Sequence, residues 1–383
     1  MHSISRRHCL KNLAASGTLF VPGKAYPANG PTAPVSIALC RSYAGSALLP
    51  VMERMFDQLG GLRRLVAGKT VAIKINLTGS PTYRLGHLPA ELAHWTHPKV
   101  IGTTIHLLGK AGAKRVRLLE SGWNTAEPLE EYMLQGGWDP LHLINAAGRV
   151  EMENTNYLGN ANRYSRFVTP KGGHMFKAYD LNHSYEDCDV FVSIAKLKEH
   201  ATTGVTLSMK NCFGITPCTI YGEGAGVDEP SLLPRGGRGP IHSGARQPSK
   251  SSPSENDPNS PREAGYRVPR VVADLAAARP IHLSIVDGIE TMTRGEGPWI
   301  GGCKPVKPGV LIAGTNCVTT DAVGTAIMGF DPMADRGTAP FERCDSTLRL
   351  AEELGVGTRD LKRIEVAGTP IAKARFNFRT AGA

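Results

Sequence analysis

Short apolar, β-branched runs alternate with longer stretches of helical spacing along most of this chain. VSIALCRS (35–42), KTVAIKINL (69–77), KRVRLLES (114–121), DVFVSIAKLK (189–198), HLSIVDG (282–288), GVLIAGT (309–315) and KRIEVAG (362–368) read as strands. LPVMERMFDQLGGLRRLV (49–66), HPKVIGTTIHLLGKAG (97–112), RVPRVVADLAAAR (267–279) and residues 318–329 carry the spacing of helices. Pro98 stands near the first turn of the second of these, and Gly112 at its end. Strand–helix–strand order predicts right-handed crossovers and a parallel sheet. The expectation is an α/β fold with a mainly parallel sheet and helices on both faces, in one or two closely joined lobes.

Regularity is lost over 216–265, where GGRGPIHSGARQPSKSSPSENDPNSPREAG is rich in Gly, Pro, Ser and charge. This stretch reads as an irregular insertion within a domain covering 35–370. It is either a lid over the residues just before it or a tolerated surface loop, and composition alone does not choose between them. A chain of 383 residues that is 41% hydrophobic has enough apolar sequence for a large core.

The formal charge is +10, and part of it belongs to the first 28 residues. Ser5, Arg6 and Arg7 open a basic segment, followed by a short, weakly apolar middle and small residues near a plausible cleavage point. This predicts a twin-arginine-type signal peptide over 1–28, hence export in the folded state to the periplasm or beyond through the twin-arginine machinery. Removing its four Lys/Arg from 44, against 34 acids, leaves +6. That excess, with few aromatics and no basic helix, argues against nucleic acid as a partner. No segment reaches the ~18 consecutive apolar residues of a membrane helix. Of eight cysteines, Cys9 lies in the leader and none of the others forms C-x-x-C. An iron–sulfur cluster is therefore not expected, and disulfide pairing stays open.

The chemistry-bearing residues gather at predicted strand ends. Residues two apart on a strand share a face, so Lys196, Lys198 and His200 are expected to point the same way. They stand at a carboxyl end, where ligands sit in open α/β sheets. Three cations crowded there repel one another unless an anion or carboxylates compensate. TTGVTLSMKN (202–211) then brings hydroxyls, a helix start whose N–H groups favour anions, and Lys210 with Asn211. Lys74 and Asn76 share a face at another strand end. In HWTHP (94–98), His94 and His97 are spaced to meet one metal on a helix, or His97 caps a helix start ahead of Pro98. SIVDGIETMTRGEGPW (284–299) offers Asp287, which orients a lysine or binds a metal, with Glu290 and Glu296 behind it. Asp321 is expected to cap its own helix at Val323 or Gly324. AGKT (67–70) is no P-loop, because Arg63 stands where glycine is required and a strand follows.

KLKEHATTGVTLSMKNCFGITP, VDGIETMTRGEGPWIGG and TNCVTTDAVGTAIMGFDP, in this order and preceded by IKINL and THPKVIGTTIHLLGKAGAKRVRLLES, resemble the domain-of-unknown-function family 362. The resemblance covers most of 35–370 outside the insertion. The family name implies no activity. Some members carry ferredoxin-type cysteine runs, from which this chain departs. GVTLSMKNCFGI (204–215) is also similar in layout to the Gly–Lys–Gly region of nickel-pincer lactate racemases. That likeness implies a cofactor-tethering Lys210, with His97 and His200 as acid–base groups.

Together these features predict an exported enzyme for a small anionic molecule, with a metal ion left open as cofactor. Lys210, His200 and His97 are its candidate catalytic groups. Lys74, Asn76, Lys196, Lys198, Asn211, Asp287 and Glu296 are its candidate ligand-binding groups. The alternatives are a non-catalytic periplasmic protein for an anion or metal, and a racemase- or isomerase-like enzyme.

Overall fold

The structure, a computed structural model, describes residues 30–381. The proposed signal peptide lies outside them. Eight strands form the central sheet: β1 (Val35–Leu39), β2 (Thr70–Lys74), β3 (Arg115–Glu120), β4 (Val150–Asn154), β5 (Val190–Lys196), β6 (Leu283–Gly288), β7 (Val310–Gly314) and β8 (Val366–Gly368). Their spatial order is β8-β1-β7-β6-β5-β2-β3-β4. Strand β7 runs against both its neighbours, β1 and β6, while every other pairing is parallel. The fold is thus α/β with a mainly parallel sheet. Its exception has a local cause: β6 leads to β7 through a short antiparallel pair, Thr291–Thr293 with Lys304–Val306, in place of a helical crossover.

Helices cover both faces. On one, α1 (Gly45–Gln58) and α2 (Pro98–Lys110) lay Met52, Phe56, Ile101 and Ile105 against Ile73, Val192, Ile194 and Ile285. The predicted helix over 49–66 divides into α1 and a short turn, Leu62–Val66, because Gly60 and Gly61 take positive φ. On the other face, α3 (Leu207–Asn211), α4 (Ala264–Ala278), α5 (Cys317–Ile327) and α6 (Thr347–Glu353) bury Met209, Val268, Val272 and Val323 with Ala72, Phe191 and Ile312. Residues 216–265 pack as irregular chain with two single helical turns, Cys218–Tyr221 and Gly239–His242. Glu255 fixes this segment to α4 through the buried Arg267, at 2.6 Å. All seven cysteines among the described residues are free.

Candidate functional site

Because β2, β3, β5 and β6 run the same way, their carboxyl ends share one edge of the sheet, but not one face. Lys74 lies in register with Ser193 of β5. Lys196 is three residues beyond Ser193, so alternation turns it to the opposite face. Asp287 lies in register with Lys196 and shares that opposite face. The sheet therefore separates the predicted cluster into two.

One group is a cavity of about 90 Å³, lined by Lys74, Asn76, Lys198, His200, Lys210, Asn211 and Glu296 together with Glu120, Trp123, Thr206, Arg238 and others. The other group is a buried knot around Asp287. Lys196 Nζ lies 2.9 Å from Asp287 Oδ2, both side chains fully buried. Lys196 also donates to the Glu91 carbonyl at 2.8 Å. Tyr43 donates to Asp287 Oδ1 at 2.9 Å, and the His97 backbone N–H donates to Oδ2 at 3.0 Å. Here the expectation of one shared face is corrected. Lys196, Asp287 and His97 stand outside the cavity, because β5 ends at Lys196 and the chain turns before Lys198.

His97 caps α2 through Nδ1, which accepts the Lys99 N–H at 3.1 Å, and its ring stacks on Tyr43 at 3.6 Å. Burial pushes its pKa down to about 4. His94 is buried with no hydrogen-bond partner on either ring nitrogen and stands edge-on to Trp299. His97 Nδ1 is taken up by the helix cap, and among the described residues no group of three or more His, Cys, Asp or Glu side chains could hold an ion.

Inside the cavity the cations differ in what already holds them. Lys74 Nζ contacts Glu120 Oε1 at 2.6 Å, the Ile75 carbonyl at 2.6 Å and Asn211 Oδ1 at 3.3 Å. An ammonium has three donors, so Lys74 has none left for a ligand. Asn211 is tied as well, its Nδ2 shared among Lys74 O, Ser193 Oγ and Ile194 O. These two residues build the wall. Arg238 spends Nε on Thr216 and Nη2 on the Ser121 carbonyl. Lys198 gives one hydrogen bond, to the Glu296 carbonyl. Lys210 makes no hydrogen bond or ion pair with any described residue; its ammonium lies 4.5 Å above the Phe213 ring. Asn76, 4% exposed, leaves Oδ1 without a partner.

Burial is the main reason these cations are weakened. It pushes Lys210 down to about 7 against the pull of Glu296, with Arg238 and Lys74 adding to the fall. Lys198 falls to about 7 for the same reason, again opposed by Glu296. Burial, then Lys210 and Lys198, hold His200 well below its ordinary range. His200 Nδ1 accepts the Thr202 N–H at 3.1 Å, so the neutral ring carries its proton on Nε2. His200 is thus a hydrogen-bond donor.

Helix α3 is set by Asp321, which is not the cap of its own helix. Asn316 caps α5, accepting from Val318 and Thr319. One turn further on, the buried Asp321 carboxylate accepts the Ser208 and Met209 N–H groups, each at 2.9 Å. Burial raises its pKa to about 7. The N–H groups expected to attract a ligand are therefore occupied by protein. Leu207, at φ +45°, makes the sharp entry that this carboxylate pins. Sequence reasoning missed Glu120, Trp123 and Arg238. Glu120 stands one residue before the end of the predicted strand 114–121 and was open to the same strand-end rule; Arg238 lies in the irregular segment, where no pattern marks it.

A larger groove of about 640 Å³ runs on the other face past Leu49, His106, Trp138 and Leu143. None of the described buried polar atoms that lack a partner belongs to its lining.

Fold and site together define an α/β protein with a cationic cavity at the carboxyl edge of its sheet. The chain belongs to the DUF362 family, a domain of unknown function, whose profile it matches over residues 71–326. It is 24% identical over 313 residues to the thylakoid-associated protein sll1697 of Synechocystis sp., covering 81% of this chain and 78% of that protein. A crystal structure of a Thermotoga maritima protein aligns at 14% identity with a TM-score of 0.32, over 64% of this chain and 52% of that chain. That overlap is too loose to carry an argument. No helix among the described residues is long and apolar enough to cross a membrane.

Proposed function

We propose that this protein binds a small anion in the cavity and acts on it through Lys210. The observation that carries this reading is Lys210 itself: a cavity-facing ammonium without a hydrogen-bond or ion-pair partner among the described residues. Lys198, with one donor engaged, and the Nε2–H of His200 stand in the same lining as supporting donors. A space of about 90 Å³ suits an anionic group of a few heavy atoms, against the ~300–1,000 Å³ of drug-sized sites.

Two lysines near 7 support catalysis, since a base or nucleophile works best when its pKa matches the working pH. The proton-moving role then falls to Lys210 and Lys198, because His200 offers a donor. That donor-only histidine also favours a second reading, a non-catalytic anion-binding protein. The racemase likeness gains no support from the layout: of the two histidines it implies, only His200 shares the cavity with Lys210.

Calorimetry with acetate and with sulfate tests the binding. Lys210→Met is expected to weaken the better anion about 10–100-fold, the worth of a hydrogen bond to a charged group. Equal affinity in the variant overturns the reading. Export in the folded state belongs to the same proposal and rests on Arg6 and Arg7. Replacing both with Lys is expected to retain the precursor in the cytoplasm; normal export would refute it.

A further inference from the structure

Three aromatic side chains stand exposed among the described residues, and they stand together. Trp123 is 50% exposed, Trp299 42% and Tyr83 36%. Tyr83 is the middle member, 6.1 Å from Trp123 and 5.6 Å from Trp299 between ring centroids. The other two tryptophans, Trp95 and Trp138, are buried. Aromatic residues make up only 6% of the chain, so their exposure in one place calls for a reason.

The trio adjoins the cavity. Trp123 lines it directly. Trp299 holds its indole N–H 3.4 Å from Oε1 of Glu296, which lines it too. The Trp299 ring also lies against the backbone at Gly79 and Gly297. A Cβ at these positions would come within 2.4 Å and 2.1 Å of the ring, so both must be glycine for the ring to lie there. The indole is thus seated by the fold while the residue stays partly exposed.

An anion site too small for more than a head group, opening beside a fixed aromatic surface, describes a ligand with two parts. We infer that the ligand of this cavity is a carboxylate or phosphate joined to an aromatic ring, with the head at Lys210 and the ring lying across Trp123, Tyr83 and Trp299. Ring faces stack in offset or tilted contact and exclude water from the mouth of the site. Such stacking near the head also lowers the local dielectric, which strengthens the contacts of the anion with Lys210 and Lys198. This deepens the anion-binding proposal and rests on it.

The test is calorimetry on the full chain with two matched pairs of probes: acetate against benzoate, and methyl phosphate against phenyl phosphate. In at least one pair the ring is expected to tighten binding about tenfold, in line with the worth of a stacked aromatic contact. Which pair responds identifies the head group. Tyr83 does not line the cavity, and Tyr83→Ala is expected to erase most of that gain while the ring-free probe binds as before, which also serves as the control for folding. If acetate or methyl phosphate binds and the ring adds nothing, the aromatic part is overturned and the anion site stands. If Tyr83→Ala keeps the full gain, the assigned surface is wrong. If none of the four probes binds but sulfate does, the aromatic part is overturned and the anion site stands; if sulfate fails as well, both are overturned.

Discussion

Lys196 and Lys210 are both lysines at the same edge of one sheet, yet their surroundings set them to opposite tasks. Lys196 is sealed against Asp287 at 2.9 Å with no exposed surface on either partner. Lys210 has a cavity in front of it and no carboxylate in contact. Burial lowers the pKa of both. For Lys196 the Asp287 charge answers that cost within the protein, whereas for Lys210 the answer is left to whatever enters. Compensation inside the fold separates Lys196 from Lys210, and its lack beside open space is what motivates the proposed site at Lys210.

The comparison breaks most visibly at Asp287. Asp287→Ala strands the Lys196 charge and also frees Tyr43 and the His97 N–H. It is expected to cost about 3–5 kcal/mol of stability, read as a fall in the urea midpoint. A loss under about 1 kcal/mol would mean that Lys196 is not charged in the fold. Lys210→Met has no buried partner to strand and is expected to leave the midpoint equal or higher near pH 7. The sign follows from its lowered pKa. A charged lysine weakened by the fold withdraws stability as pH falls from the unfolded value of 10.5 towards about 7. Removing the amine removes that slope.

Affinity for sulfate provides the next test, since that ion keeps its charge across the range. Bound anion favours the protonated lysines, so affinity is greatest below about 7 and declines above it, approaching about tenfold per pH unit for each lysine that must carry its proton. A flat profile from pH 6 to 9 would contradict a lysine that titrates there. The smallest effect is expected at His200. His200→Gln keeps an N–H donor near the same place, and the sulfate affinity is expected to change less than about threefold with the pH profile unmoved. A shifted profile would return a proton-transfer role to the imidazole.

Much of this arrangement was legible in the chain. Lys74 at its strand end, Lys198 with His200 just past theirs, and Lys210 with Asn211 in the helix that follows were each marked by apolar sequence leading into polar chemistry. Their gathering follows from one rule, that parallel strands end together. The division of Lys196 from Lys198 was not legible, because it depends on where β5 stops and on Lys74 pairing with Ser193 rather than with a residue one place along. Asp321 was misread for a related reason: capping patterns are local, and its partners Ser208 and Met209 lie more than a hundred residues away. Arg238 carried no signal, since the segment that supplies it has neither helical nor strand periodicity.

Lys210 is proposed to be an amine that no carboxylate contacts and that an anion would compensate. Nitrogen-15 NMR of lysine-labelled protein, with Lys210→Met assigning the resonance, measures this directly. The expected midpoint without ligand is about 7, moving upward when sulfate is added. A midpoint at the ordinary lysine value, unchanged by sulfate, would contradict the account.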